Sequence, residues 1–323
     1  MKNKTNVLAY IIKNRDIRVR ENSRSGGIFT ALSDSVLSSG GIVYGCFLNN
    51  SFNAVHKRAD SAVARNEFRK SKYIQSDMSD VFQEVKVDLQ NSKTVLFSGT
   101  SCQVAGVLAF CSDVNRENLF CVDIVCHGVP SVAIWQEFLK YVTEKHEGKI
   151  EKVEFRNKAK FGWIDHVETI VVDGIEYDSR VFRELFYRHN SLRPSCYSCP
   201  YKSINHPADI TIADAWGVQE HDKDFDDNKG VSLVIANSEK GATWLKAAMD
   251  RCESRVVNIE DYMQKPLIAP FKKPKDRNKF WMDFRSKKFE YIISKHTKDS
   301  IQVKIARKVK KYVTKYIMRV KRC

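Results

Sequence analysis

Thr94-Val95-Leu96-Phe97 is an apolar run that breaks at Ser98-Gly99-Thr100-Ser101 and reaches Cys102. Residues 104–110 then read as helix, and residues 119–125 form a second apolar run that ends at Cys126-His127-Gly128. Strand, helix, strand at this spacing is the unit of a parallel sheet, since two parallel strands can be joined only by a crossover. Cysteines that follow the C-terminal ends of neighbouring strands would face one crevice, the edge at which open α/β sheets take up ligands.

The alternation extends in both directions. Residues 8–12 predict a strand, 28–38 a helix ended by Gly40-Gly41, 42–47 a strand, and 55–58 an addition to its sheet. A helix is expected over 82–89 and an amphipathic one over 133–144. After Lys149 the pattern changes. Residues 167–172 and 175–177 flank Asp173-Gly174 and read as a hairpin, with 153–156 as a further strand. Strands over 210–213 and 231–236 and a helix over 241–249 follow. The expected fold class is α/β with some α+β character: a mixed central sheet flanked by helices, with a C-terminal basic amphipathic helix. Residues 1–270 make the expected body and 271–323 the basic tail.

With 323 residues, 43% of them hydrophobic, the chain can bury a large core. No signal-peptide-like stretch follows Met1-Lys2-Asn3-Lys4, and no run reaches membrane-spanning length, so a cytoplasmic protein is expected. Nine cysteines without a secretory signal argue against a disulfide framework. The formal net charge is +15, and residues 271–323 carry all of it, with 19 Lys and Arg against 4 Asp and Glu. From Ile301 to Val320 the apolar residues recur at helical spacing, with Lys304, Lys308, Lys311, Lys315 and Arg319 on the other face. A helix of this kind at residues 300–323 suits an anionic membrane surface at the inner face of the cell membrane, or else packs on the body or on an acidic protein. Nucleic acid is not expected, because no binding motif accompanies the basic segment.

Cys196-Tyr197-Ser198-Cys199-Pro200 presents two thiols from one turn, and Pro200 stops regular structure behind them. Together with Cys102 and Cys126 they make a candidate four-thiolate site. Spacing leaves iron and zinc both open. Cys46, Cys111, Cys121 and Cys252 are expected to be small buried hydrophobes. Ser25-Gly26-Gly27 precedes a helix whose free amides attract an anion, and the rival reading is a tight turn. Ser98-Gly99-Thr100 ends a strand in the same manner, with no Gly-Lys-Ser/Thr to make it a Walker loop. Lys72-Tyr73-Ile74-Gln75-Ser76 offers a cation and an amide to a phosphate or ring. His127, beside Cys126, is a candidate for proton transfer or for tuning a metal site.

Taken in order, several blocks resemble the coenzyme F420 hydrogenase/dehydrogenase beta-subunit family. These are Ser25-Gly26-Gly27-Ile28-Phe29, Gly41-Ile42-Val43-Tyr44-Gly45, Ser71-Lys72-Tyr73-Ile74-Gln75-Ser76, Ser98-Gly99-Thr100-Ser101-Cys102-Gln103, Asp123-Ile124-Val125-Cys126-His127-Gly128-Val129-Pro130, Phe155-Arg156-Asn157-Lys158 with Gly162-Trp163, Arg193-Pro194-Ser195-Cys196-Tyr197-Ser198-Cys199-Pro200, Asp209-Ile210-Thr211-Ile212-Ala213-Asp214-Ala215-Trp216-Gly217 and Lys229-Gly230-Val231. The resemblance covers about residues 5–265.

It implies an FAD- and 4Fe-4S-containing oxidoreductase. Cys102, Cys126, Cys196 and Cys199 are the implied cluster ligands, and Ser25, Gly26, Gly27, Lys72, Gln75, Ser76, Gly99 and Thr100 the implied flavin contacts. His127 and Asp214 are the candidate proton or orientation groups. Coenzyme F420, ferredoxin or a related acceptor enters by the same resemblance. No cysteine precedes Cys46, so the ferredoxin module that begins many relatives is not in this sequence and a separate ferredoxin-like donor is expected; a homo-oligomer is compatible with the sequence. Ser101 stands where the family usually has Pro, and Arg24 where it usually has a small hydroxyl residue. Stand-alone relatives of this shape often serve bacterial surface-polysaccharide pathways. A non-catalytic membrane-associated scaffold with zinc or no metal is the rival from another class.

Overall fold

A computed structural model describes residues 7–297 of the chain. Its strands are β1 (Leu8–Asn14), β2 (Ile42–Leu48), β3 (Ala54–Ala59), β4 (Val95–Thr100), β5 (Leu119–Ile124), β6 (Ile150–Glu154), β7 (Glu168–Val172), β8 (Ile175–Ser179), β9 (Ile210–Asp214), β10 (Ser232–Ala236) and β11 (Cys252–Val257). An 8-stranded sheet runs β11-β1-β10-β9-β5-β4-β2-β3. Its centre, β2, β4, β5 and β9, is parallel. Antiparallel strands complete both sides, so the expected mixed sheet is the observed one.

The central strands read as unbroken apolar runs because both faces are covered. Leu96, Val122, Ile210 and Val234 pack on one side against Ile28, Leu32 and Val36 of the helix Ile28–Ser38 and against Trp244 and Leu245 of the helix Glu239–Ala248. Val95, Phe97, Leu119 and Cys121 face the other way, into Val81, Val85 and Leu89 of Val81–Gln90 and Val104 and Val107 of Ser101–Phe110. Cys111, Cys121 and Cys252 are buried among these apolar groups, as small hydrophobes.

The chain divides into two compact units. One comprises the chain through Val129 with Phe155–His166 and Pro194–Phe271, and it holds the whole large sheet; the other comprises Pro130–Glu154, Val167–Arg193 and the chain from Lys272. In the second unit β6, β7 and β8 form an antiparallel meander. Its β7–β8 turn takes Asp173 and Gly174 to φ 46° and 77°, the left-handed pair a two-residue hairpin needs. Helices Val132–His146 and Val181–Tyr187 meet through Trp135, Phe138 and Phe182, with Trp135 and Phe182 edge to face at 4.8 Å.

Two differences from the sequence reading concern the site. The helix after β4 begins at Ser101 rather than at residue 104, so Cys102 lies in its first turn and not in a loop. Thr100 and Gln103 form a capping box there, which starts the helix early. Strand β11 has no counterpart in the sequence pattern: Cys252-Glu253-Ser254-Arg255 pairs only with β1 and is polar on its open side. Among the described residues no helix is long and apolar enough to cross a membrane. The expected helix over 300–323 lies outside the described residues.

Candidate functional site

The C-terminal ends of the parallel strands gather the chemistry-bearing side chains. Gly99 and Thr100 close β4 beside Asp123 and Ile124 of β5, and Ile124 pairs with Ile212 of β9. Cys102 therefore follows one strand, Cys126 follows its neighbour, and Asp214 ends the third.

Cys102 is exposed, and its Sγ lies 3.1 Å from Thr100 Oγ1. Cys196 lies in the short 3-10 turn Pro194–Ser198, and Cys199 directly after it. Burial pushes the Cys126 thiol up to about 12, and Cys196 and Cys102 add to the rise. Cys199 is also raised, by burial first and then by Cys102 and Cys196. Cys126 and Cys199 thus each feel both Cys102 and Cys196. Among the described residues no group of three or more His, Cys, Asp and Glu converges on a point that could hold one metal ion. A mononuclear site needs its sulfurs about 2.3 Å from a single centre, whereas a cubane takes its four thiolates at separate corners. Four cysteine thiols are the donor type that such a cluster takes.

Two side chains pin the loops that carry these thiols. Lys202, 6% exposed, donates to the carbonyls of Cys126 at 2.9 Å and His127 at 2.6 Å. Burial lowers its pKa, while Cys126, Cys196 and Cys199 pull it back up. His206 Nδ1 meets Asp123 Oδ2 at 2.8 Å and Ser101 Oγ at 3.1 Å, and Thr211 Oγ1 donates to Asp123 Oδ1 at 2.7 Å. This buried knot joins the residue before Cys102, the strand before Cys126 and the loop after Cys199. The candidate thiols and the knot are therefore held by the same elements. The His127 ring packs on Phe271 at 4.1 Å.

The segments expected to border a flavin lie along the same edge. Gln103 donates to Ser76 Oγ at 2.7 Å and accepts from the Thr100 amide at 2.9 Å. Ser76, Thr100 and Cys102 are thereby linked in one hydrogen-bonded row. Lys72 Nζ donates to the carbonyls of Arg69 at 2.7 Å and Glu67 at 3.0 Å, so it braces the loop ahead of Gln75; burial lowers it to about 8. Ser25 Oγ donates to the Val231 carbonyl at 2.6 Å, and the Gly26 amide to Ser232 Oγ at 2.9 Å. A Cβ on Gly26 would strike the Ile12 carbonyl, so this glycine is required by close approach to the sheet. Gly27, at φ 84°, turns the chain into the helix Ile28–Ser38.

Asp214 connects the two segments expected to border a flavin. Its carboxylate lies 3.2 Å from Arg24 Nη2 and 3.6 Å from Arg156 Nη1, and Arg156 Nη1 also donates to Tyr73 Oη at 3.2 Å. Two guanidiniums suit it to orientation. Trp163 and Trp216 stack in parallel at 4.9 Å beside this group, with the Arg156 guanidinium 5.6 Å over Trp216. Gln103, Arg156, Trp163 and Trp216 lie inside the motif blocks, yet nothing in the sequence singles them out as site residues. Lys202 and His206 give no signal beyond their nearness to Cys199.

A family model for the C-terminal part of the coenzyme F420 hydrogenase/dehydrogenase beta subunit matches residues 92–262, a little over half of the chain. Among solved structures, a chain of the F420-reducing [NiFe] hydrogenase complex from Methanosarcina barkeri is similar in fold. The TM-score is 0.55 at 19% identity, over 76% of this chain and 81% of that one. No curated protein matches. The matched residues contain β4, β5, β9 and all four candidate thiols, and by that match the chain belongs to the coenzyme F420 hydrogenase/dehydrogenase beta-subunit family.

Proposed function

We propose that the chain is a flavin-dependent iron–sulfur oxidoreductase that passes electrons between a one-electron donor of the ferredoxin type, or a deazaflavin, and an organic acceptor. The observation that carries this reading is the continuous row Ser76–Gln103–Thr100–Cys102, which puts residues expected at a flavin and a residue expected at a cluster on one hydrogen-bonded path. Cys102, Cys126, Cys196 and Cys199 would hold a 4Fe-4S cluster, with Ser25, Gly26, Gly27, Lys72, Gln75, Ser76, Gly99 and Thr100 about FAD; bound, the pair supplies one-electron and two-electron chemistry.

The chain's own residues do the rest. Lys202 and His206 hold the thiol-bearing loops together, so that the ligands are preorganised rather than collected by the metal. Asp214, fixed by Arg24 and Arg156, keeps the segments around Ser25 and Tyr73 in register. The Trp163–Trp216 pair gives the edge an apolar wall that excludes water. His127 and Asp214 are the groups we propose to move or orient a proton at the acceptor. A setting in surface-polysaccharide synthesis, with residues 300–323 against an anionic membrane, is supported by the family resemblance and by the charge of the tail.

Protein purified and reconstituted without oxygen is expected to contain iron, acid-labile sulfide and flavin, with the flavin colour bleached by dithionite and restored by an acceptor. Absence of all three after reconstitution overturns the proposal.

A further inference from the structure

Lys202 is the buried cation of the thiol site. The residue is 6% exposed, and its ammonium is held by the carbonyls of Cys126 and His127, with the Phe271 ring 5.1 Å away. Among the described residues no carboxylate forms a salt bridge with it, and the acidic groups that act on it are the thiols of Cys126, Cys196 and Cys199. A fixed positive charge with an aromatic ring for a neighbour keeps much of its field, because little water stands by to screen it.

Four thiolates around a 4Fe-4S core leave a net negative assembly, and reduction adds one more electron to it. A nearby cation favours the reduced form. Cluster potentials follow net charge, hydrogen bonding and solvent exposure, and Lys202 is the side chain here that supplies charge from within the fold. We infer that Lys202 sets the reduction potential of the thiol-held cluster upward, so that this chain accepts electrons from a donor too weak to reduce the same cluster without it. It is a positioning and tuning residue that never touches the acceptor. The inference rests on the cluster reading above.

The test uses the full chain, reconstituted with iron and sulfide and titrated at defined potentials with the reduced cluster read by electron paramagnetic resonance. Lys202→Gln keeps an N–H donor for the two carbonyls and removes the charge; Lys202→Arg keeps the charge. At a fixed potential the reduced-to-oxidised ratio is expected to fall about tenfold in the Gln variant, a shift of about 59 mV for one electron, and to stay within about threefold of the unsubstituted chain in the Arg variant. Wild-type potential in a fully loaded Gln variant overturns the inference. If the Gln variant takes up no cluster while the Arg variant does, the charge acts on assembly rather than on potential, and the inference is overturned. Loss in both variants overturns it and leaves Lys202 a backbone brace only. Failure of the unsubstituted chain to take up iron and sulfide sinks the cluster reading instead, and is seen before any substitution is made.

Discussion

Cys199 and Cys252 are the same residue type in opposed circumstances, and they separate the proposed ligand from filler. Cys252 is 3% exposed and packed in the apolar cluster beneath the sheet, whereas Cys199 is half-exposed, close behind a turn, and feels two other sulfurs. Cys199→Ser is expected to lower iron and sulfide per chain well below that of the parent protein, while Cys252→Ser leaves them unchanged; equal loss in both, by colorimetric iron assay, would remove Cys199 from the ligand set. His56 carries a second prediction. It is 4% exposed, has no counter-charge beside it, and meets the Ser98 carbonyl at 2.9 Å through Nε2. Burial lowers it from 6.5 to about 4. Between those values the unfolded chain takes up a proton that the native one refuses, so stability falls as pH falls through that window, by about 3 kcal/mol from this residue. Urea unfolding at pH 7 and pH 4.5 measures it, and His56→Gln should flatten the slope. Of these residues the sequence offers Cys199, paired with Cys196, as a candidate ligand, because two thiols in one turn ahead of a proline are read first as a metal or redox site. It is silent on Lys202 and His206, whose partners lie about 75 and 83 positions away and become neighbours only when β5 and the loop before β9 are side by side.

At the scale of elements, the central strands are legible because each is short, apolar and bounded by small residues. Their parallel order is legible too, since helices separate them. What local pattern cannot show is where a helix starts when its first turn is polar. Ser101-Cys102-Gln103 reads as loop, yet the Gln103 side chain returns to the Thr100 amide and caps the helix. That same side chain reaches Ser76, so one residue holds both the helix start and the segment before Val81–Gln90. Gln103→Leu is expected to cost about 1–2 kcal/mol of stability through the lost cap and hydrogen bond. Flavin affinity should fall roughly tenfold, the equivalent of about 1.4 kcal/mol, as Ser76 and the Thr100 amide lose their common partner. Flavin fluorescence titration beside thermal unfolding distinguishes the two effects, and unchanged values in both would break the link we draw along Ser76–Gln103–Thr100–Cys102. The short helices Val181–Tyr187 and Arg277–Ser286 escape a sequence reading for a different reason. The first has seven residues, too few for a period to show although Val181, Phe182, Leu185 and Phe186 are buried, and the second buries Phe280 alone, a single anchor that produces no period.

The whole molecule separates charge from chemistry. Residues 1–270 carry 35 basic and 35 acidic side chains, and the surplus of 15 lies beyond them; the candidate thiols, the segments proposed to border a flavin and the matched family region all lie before it. A body of balanced charge with one basic end is drawn to an anionic surface by that end alone, at about 1 kcal/mol for each basic residue near it. The attraction must weaken as salt shortens the screening length from about 10 Å at 0.1 M to about 3 Å at 1 M. Deleting residues 300–323 removes a large part of the surplus without touching a residue of the site. The truncated chain is therefore expected to lose sedimentation with vesicles rich in anionic lipid while retaining its iron, sulfide and flavin. The intact chain should lose sedimentation in 1 M salt and on zwitterionic vesicles. Sedimentation that survives the deletion would place the membrane contact elsewhere, and loss of flavin with the tail would show that residues 300–323 belong to the catalytic body.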